Sequence, residues 1–244
     1  MKRFNTSTPP KHEWLSTSFL VLLLLCGPAT LAAEEGKTEG SGENPAADNQ
    51  APESTATHAP TVSITSDELV EFDSQPRAVR ELIIAALELT AQGLAYTYAS
   101  ADPAKGGMDC SGAIYYLLKS QNIDGVPRSS HRQYRWAWES GNFTPVFAQG
   151  AKTFELDKLR PGALLFWSGT YKVDRDPAVS HVMIYLGTLK KDGRPVMAGA
   201  SDGRSYAGKP RYGVSVFDFR FPLRGQPKGG NGRHSRFIGY ANIL

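Results

Sequence analysis

Apolar residues recur at helical spacing in two segments in the middle of the 244-residue chain. The first segment, residues 76–92, is followed by Gly93, a residue typical of a helix end. The second begins near Cys110 and ends before Asn122. Both patterns predict amphipathic helices that bury one face. The apolar face of the first comprises Val79, Leu82, Ile83, Ala86 and Leu87, and that of the second comprises Ile114, Leu117 and Leu118.

After Pro161-Gly162 the pattern changes to short strand-like runs separated by glycine and aspartate turns. Five such runs cover residues 163–167, 181–186, 195–199, 213–219 and 237–241. Helices followed by strands are typical of an α+β domain. We therefore expect N-terminal helices packed on a C-terminal antiparallel β-sheet.

The N-terminal segment has the pattern of a secretory signal over residues 1–33. Basic residues precede the apolar run 19–25, and small residues follow at 29–33. The run is shorter than the 18 or more apolar residues of a bilayer-spanning helix, so no stable membrane span is expected after cleavage. Cys26 raises the possibility of lipid attachment, but the large Leu25 directly before it disfavours that reading.

Residues 34–65 form a segment of different composition, with six acidic residues, one lysine and no aromatic residue. Such a segment cannot bury enough apolar surface to offset the entropy of ordering it, so a disordered acidic linker is predicted. The globular domain is expected over residues 66–244. Two cysteines in the whole chain are too few for a disulfide scaffold or a cysteine-rich zinc module.

Cys110 is the one thiol that remains if the signal is removed. It lies where the second helix is expected to begin, and unpaired N–H groups at a helix N-terminus favour a thiolate. Asp109 is a candidate N-terminal cap. Gly112 lacks a side chain and leaves room for a substrate to approach the backbone. These features favour a nucleophilic cysteine over an inert core residue.

A thiolate nucleophile needs a proton acceptor, for which histidine is the usual residue near neutral pH. His181 opens a strand-like run, so its imidazole is expected at the rim of the sheet and able to face a helix N-terminus. His131 lies in a polar loop or helix start and is the next candidate. His234 lies in a basic turn and is expected at the surface.

Four motifs follow one another along the chain. They are Asp109-Cys110-Ser111-Gly112, then Val126-Pro127-Arg128-Ser129-Ser130 with Gln133, then residues 159–166, and finally Ser180-His181-Val182-Met183-Ile184-Tyr185-Leu186-Gly187. In this order they resemble the motifs of NlpC-type bacterial cell-wall cysteine peptidases, which belong to the papain-like superfamily. The resemblance spans about residues 80–220.

The resemblance implies hydrolysis of amide bonds in peptidoglycan stem peptides, often between D-glutamate and the following diamino acid. It implies Cys110 as nucleophile, His181 as general base and Tyr96 as a group that polarises the scissile carbonyl. Asp109 and Ser111 are expected to line the site. The motif residue Arg128 is expected to act structurally first and in substrate binding second. No metal or cofactor is implied, and the location is secreted or periplasmic.

The chain departs from the family where a third polar residue usually orients the base. The matching position is Gly199, so a backbone carbonyl, Ser201, Asp202 or water is expected to orient His181 instead. Two further departures are Ala163 in place of an acid after Pro161-Gly162, and a longer loop between Tyr98 and Gly106-Gly107. Loss of the third residue is expected to lower activity without always abolishing it.

Two other functions fit the same pattern. An acyltransferase or transpeptidase would use an amine in place of water, and a non-catalytic module would bind wall peptides without cutting them. Nucleic acid is not an expected partner, because an exported protein rarely meets it. The aromatic segment 132–150 is expected to form one side of the substrate groove. The sequence leaves the oligomeric state open.

Overall fold

A computed structural model describes residues 61–148, 153–221 and 235–244. Its α-helices are α1 (Arg77–Thr90), α2 (Cys110–Ser120) and α3 (Ser130–Glu139). The two helices predicted from the apolar spacing are confirmed within two residues at each end. Pro76 is the N-cap of α1, and Gly93 has a φ of 69°, a left-handed conformation that suits the chain reversal after a helix.

The strands form one large antiparallel sheet and one small parallel pair. In the pair, β1 (Ala95–Tyr96) lies beside β2 (Gly107–Met108). The large sheet contains β3 (Phe143–Pro145), β4 (Leu164–Ser168), β5 (Val179–Thr188), β6 (Pro195–Tyr206), β7 (Lys209–Asp218) and β8 (Arg236–Ala241). Their spatial order is β3-β8-β4-β5-β6-β7. The expected α+β class and its antiparallel sheet are confirmed.

Strand β5 runs through the middle of the sheet, and its two faces are covered by different residues. Val182, Ile184 and Leu186 belong to the main core with the buried faces of α1 and α2. Met183 and Tyr185 belong to a second cluster, which lies on the opposite face and is rich in aromatic residues. Because successive side chains of a strand point to opposite faces, both layers are built from one continuous apolar run. Burying each large apolar side chain stabilises the fold by about 1.5–3 kcal/mol.

The sequence predicted only a polar loop or a helix start at His131, whereas the structure has the ten-residue helix α3 there. It buries Ser130, Gln133 and Ala137, which are polar or small, so no apolar stripe marks it in the sequence. Gln133 attaches α3 to its neighbours, because its Nε2 donates to the carbonyl oxygens of Ser111 (3.0 Å) and Pro127 (2.9 Å). These hydrogen bonds act together with the partly buried Tyr134 and Trp136, which pack against the main core.

The hairpin of β6 and β7 extends well beyond the runs predicted at 195–199 and 213–219. Its outer half is polar and largely exposed, so it lacks the apolar alternation of a buried strand. Ser201 pairs with Gly213, whereas Arg204 pairs with Arg211, so β6 holds one extra residue between these pairs. Such a β-bulge changes the face to which the following side chains point.

The folded part also includes residues 62–64, which lie within the predicted linker. The N–H of Val216 donates to the carbonyl of Val62 at 2.8 Å, and Ile64 is buried. The predicted signal 1–33, Cys26, the rest of the linker to residue 60, and His234 lie outside the described residues. Among the helices of the described ranges, none combines the length and apolar character needed to cross a membrane.

We expect Gln133→Met to lower the free energy of unfolding by about 1–3 kcal/mol, because two buried carbonyl acceptors lose their donor. Urea denaturation followed by circular dichroism measures the change. Arg132→Met is the matched control on an exposed position of the same helix, and it should change stability by less than about 0.5 kcal/mol. Equal effects of the two substitutions would contradict the role of Gln133.

Candidate active site

The start of α2 is held by a polar network centred on Asp109. As the N-cap, its Oδ1 accepts from the N–H of Gly112 at 2.7 Å and from the hydroxyl of Ser111 at 3.0 Å. Arg128 donates to both carboxylate oxygens of Asp109, at 3.0 and 2.7 Å, and to Ser111 Oγ at 3.0 Å. Asp109, Ser111 and Arg128 therefore contact one another and fix the position of Cys110, the first residue of α2.

The Cys110 thiol is buried, with 5% of the residue exposed. Burial raises its pKa from 9.0 to about 11, and the Asp109 charge acts in the same direction. The backbone N–H groups of Val182 and Ser111 and the charge of Arg204 lower the pKa, but by less. The expectation of a lowered thiol pKa is therefore wrong for this state, because desolvation outweighs the helix N-terminus.

Gly112 serves packing and not substrate access, which corrects the sequence-based interpretation. A Cβ at this position would lie 2.0 Å from the carbonyl oxygen of Ser100. The same carbonyl accepts from the N–H of Asp109 at 3.0 Å. The glycine thus lets residue 100 pack directly on the first turn of α2.

His181 lies near the start of β5, opposite Trp167 of β4, and is buried. Burial and then the positive charge of Arg204 lower the pKa of its imidazole well below 6.5, so the ring is neutral at physiological pH. The Trp167 ring meets the imidazole edge-on at a centroid distance of 5.8 Å. The neighbouring N–H of Val182 acts on the Cys110 thiol, which places the thiol beside the His181–Val182 part of β5.

Arg204 is the site residue that sequence reasoning missed. Its Nε donates to His181 Nε2 at 3.2 Å, and its guanidinium lies over the Trp167 ring at 4.2 Å from the centroid. Ser201 and Arg204 are three residues apart, so in a regular strand their side chains would point to opposite faces. The bulge in β6 adds one residue, and Arg204 therefore points to the face that carries His181. An exposed polar hairpin with a bulge carries no periodic signal that could have located it.

The bond from Arg204 determines the protonation of the imidazole. Because Nε of an arginine can only donate, His181 Nε2 must accept, and the ring proton is therefore on Nδ1. Protonation of Nε2 would place two donors and two positive charges against each other. Within the described residues no hydrogen bond joins this imidazole to the Cys110 thiol.

Tyr96 lies on β1, whose pairing with β2 brings it beside Met108, two residues before Cys110. Burial raises the pKa of its phenol above the ordinary value of 10.0, and the charges of Cys110 and Asp202 raise it further. The phenol is therefore protonated at neutral pH and able to donate a hydrogen bond. The electrostatic interaction of Tyr96 with Cys110 and Asp202 places the phenol in the same part of the molecule as the thiol.

The remaining candidates differ in position. Ser201 is buried and Asp202 is exposed, and among the described residues the His181 ring is hydrogen-bonded to Arg204 and to neither of these two side chains. At Gly199 a Cβ would lie 2.8 Å from Met183 Sδ, so the family position for a third residue faces a core methionine. The Nδ1 of His131 is bonded to the carbonyl of Pro177 at 3.1 Å, and no hydrogen bond among the described residues joins its ring to Cys110.

The α+β domain thus carries a cysteine at a helix start, a histidine near a strand start and a tyrosine that interacts electrostatically with the cysteine. Residues 93–201 match the model of the NlpC/P60 family, which confirms the resemblance over that segment. The matching segment includes Tyr96, Cys110 and His181 and ends before Arg204.

A solved structure from Staphylococcus aureus subsp. aureus Mu50, described as similar to a lipoprotein of the NLP/P60 family, resembles this chain at 20% identity and a TM-score of 0.43. The similarity covers 70% of this chain and 42% of that one, so this chain spans less than half the length of that protein. No curated protein matches the chain.

The buried thiol should react slowly with iodoacetamide at neutral pH, and its rate should rise until about pH 11, where the thiolate becomes the main form. Mass spectrometry of the peptide that contains Cys110 measures the rate. In urea, where the protein is unfolded, the midpoint of the rate against pH should fall to the ordinary thiol pKa near 9.0, which serves as the control. A native midpoint below pH 8 would contradict the neutral thiol.

The folded protein should lose stability as the pH falls below about 6.5. The unfolded chain takes up a proton on His181 there, whereas the folded chain, whose His181 pKa is lowered, does not. The expected slope is about 1.4 kcal/mol per pH unit for this one proton. Comparing urea denaturation of the wild type and His181→Gln from pH 7.5 to 5 isolates the contribution, and identical slopes would contradict it.

Proposed function

We propose that the protein is an exported cysteine peptidase that hydrolyses amide bonds in peptidoglycan stem peptides. The observation that carries the proposal is the placement of the Cys110 thiol at the start of α2, beside the His181–Val182 part of β5 and coupled to Tyr96. The match of residues 93–201 to the NlpC/P60 family supports the substrate class.

In the proposed reaction the Cys110 sulfur attacks the scissile carbonyl while His181 takes the thiol proton. The resting pair is a neutral thiol and a neutral imidazole, so proton transfer accompanies attack instead of preceding it. A thioester forms as the amide C–N bond breaks, and the imidazolium returns its proton to the leaving amine. Water then hydrolyses the thioester and regenerates the thiol.

The negative oxygen of the tetrahedral intermediate needs hydrogen-bond donors. Backbone N–H groups at the first turn of α2 are suited to this role, because the Asp109 cap uses only the N–H of Gly112. The protonated phenol of Tyr96 supplies a second kind of donor. The network of Asp109, Ser111 and Arg128 supports catalysis by fixing that first turn, and we assign it to positioning before substrate binding.

The substrate groove is proposed to run along α3. An open cleft of about 320 Å³ lies between this helix and residues 176–177, lined by Tyr134, Arg135 and Trp138. Trp138 is 54% exposed although it is large and aromatic, which is typical of a binding surface. Ser201 and Asp202, at the β6 bulge, are proposed to border the opposite side. The predicted signal and acidic linker fit delivery of the domain to the cell wall.

A non-catalytic wall-peptide-binding module is the second candidate. The observations that favour it are the raised thiol pKa and the hydrogen bond that occupies His181 Nε2. An acyltransferase or transpeptidase would use the same residues with an amine acceptor. The three functions differ in their products, so a single set of measurements separates them.

Purified peptidoglycan and soluble stem peptides should be cut by the wild-type chain, with each product gaining the mass of water. Cys110→Ala should lower kcat/KM by at least about 1,000-fold, because the covalent route is lost. His131→Ala is the control histidine and should retain activity. Liquid chromatography with mass spectrometry measures the products.

Products joined to an added amine would indicate transfer instead of hydrolysis. Binding of stem peptides without any product would indicate the binding module. Undiminished cleavage by Cys110→Ala would contradict the proposed nucleophile.

A further inference from the structure

The strongest unexplained feature of the site is the guanidinium of Arg204. It is only partly exposed, and within the described parts of the chain no carboxylate forms an ion pair with it. Burial lowers the pKa of Arg204 to about 10, which still leaves it charged at neutral pH. A partly buried charge without a counter-ion costs free energy, and a bound anion would reduce that cost.

The present position of Arg204 opposes the reaction. In the proposed mechanism His181 must become an imidazolium, yet Arg204 Nε faces His181 Nε2 at 3.2 Å and places a second positive charge there. The Arg204 charge also contributes to the lowered pKa of His181. The base is therefore least able to accept a proton while this bond exists.

The groups around the imidazole come from several elements. Trp167 of β4 and Arg204 of β6 contact the imidazole, while Cys110 of α2 and the acidic Asp202 act on Arg204 through their charges. Tyr96 of β1 interacts electrostatically with Cys110 and Asp202. Among these residues Arg204 is the one cation, so its removal from His181 is the change that most favours the imidazolium.

We propose that Arg204 binds a substrate carboxylate next to the scissile amide, and that this binding releases His181 from the guanidinium. The inference rests on the proposed peptidase function and adds the class of substrate and the control of the base. A guanidinium offers a pair of parallel donors that matches a carboxylate, whereas its bond to a neutral imidazole uses one donor. The carboxylate is thus the better partner, and the exchange couples binding of the correct substrate to an available base.

The position of Arg204 suits such an exchange. It follows the bulge at residues 201–204 in the outer half of β6, where the preceding Asp202 and Gly203 are exposed. Its guanidinium stacks on Trp167, and the flat ring allows the cation to shift while it stays in contact with the aromatic face. Movement of one side chain is therefore sufficient, and no rearrangement of the sheet is required.

Binding is tested in full-length Cys110→Ala, which prevents turnover. The probes are γ-D-glutamyl-L-lysine and the same peptide with its glutamyl α-carboxylate changed to a carboxamide. We expect the carboxylate peptide to bind about 10- to 100-fold more tightly, the range of a charge-assisted hydrogen bond. Adding Arg204→Met should reduce the ratio of the two peptides' affinities to about one, while Arg204→Lys should give an intermediate ratio.

Lys209→Met is the matched control, because it removes one positive charge from an exposed position of the same hairpin and should keep the ratio. Circular dichroism verifies folding of each variant. Calorimetry measures affinity. A ratio that survives Arg204→Met, a ratio of about one with Arg204 present, or failure of the carboxylate peptide to bind would each overturn the proposal.

The effect on the base is read from the NMR titration of the His181 ring. Its pKa should rise in Arg204→Met, and in the Arg204-containing protein it should rise with the carboxylate peptide but not with the carboxamide. An unchanged titration would overturn the release of His181. A purely structural role of Arg204 predicts no dependence on the peptide carboxylate.

The two proposals can fail separately. Selective binding of the carboxylate peptide with a raised His181 pKa, but no cleavage by the wild type, would reject the peptidase and retain the role of Arg204. Equal cleavage of both peptides would reject the role of Arg204 and retain the peptidase.

Discussion

The packing of α2 against β5 is the contact on which the candidate site depends. It joins the buried face of α2 to Val182, Ile184 and Leu186, and it sets the first residue of the helix beside the start of the strand. The same contact that sets Cys110 beside the Val182 backbone of β5 also removes the thiol from water. Proximity and desolvation therefore have one cause, and the raised pKa of the thiol follows directly from the geometry that positions it.

Polar contacts give this apolar packing its precise alignment. The Asp109 carboxylate accepts donors from the helix N-terminus and from Arg128, and Gln133 joins α3 to the carbonyl of Ser111. Each contact acts on the first turn of α2. Because hydrogen bonds are directional whereas apolar burial is not, these contacts specify where the thiol lies, and burial supplies most of the stabilisation.

The sequence predicted the elements whose apolar periodicity is strong, namely α1, α2 and the inner halves of the strands. It missed α3, whose buried positions include Gln133 and Ala137, and the outer hairpin, whose residues are polar. For the candidate site, the motif resemblance proposed Tyr96, Cys110 and His181, and their catalytic roles stay predictions. Arg204 was not predictable, because its contact with His181 depends on a bulge and lies beyond the family match. The thiol pKa was mispredicted because burial is a tertiary property.

The bulge in β6 determines which face of the hairpin carries the Arg204 side chain. Strand side chains alternate between faces, so deleting one residue between Ser201 and Arg204 would restore the regular alternation and turn the guanidinium to the other side of the hairpin. The imidazole would lose its cationic neighbour without any substitution in the nucleophile or the base. Loss of a single codon would thereby remove the positive charge that helps to lower the His181 pKa.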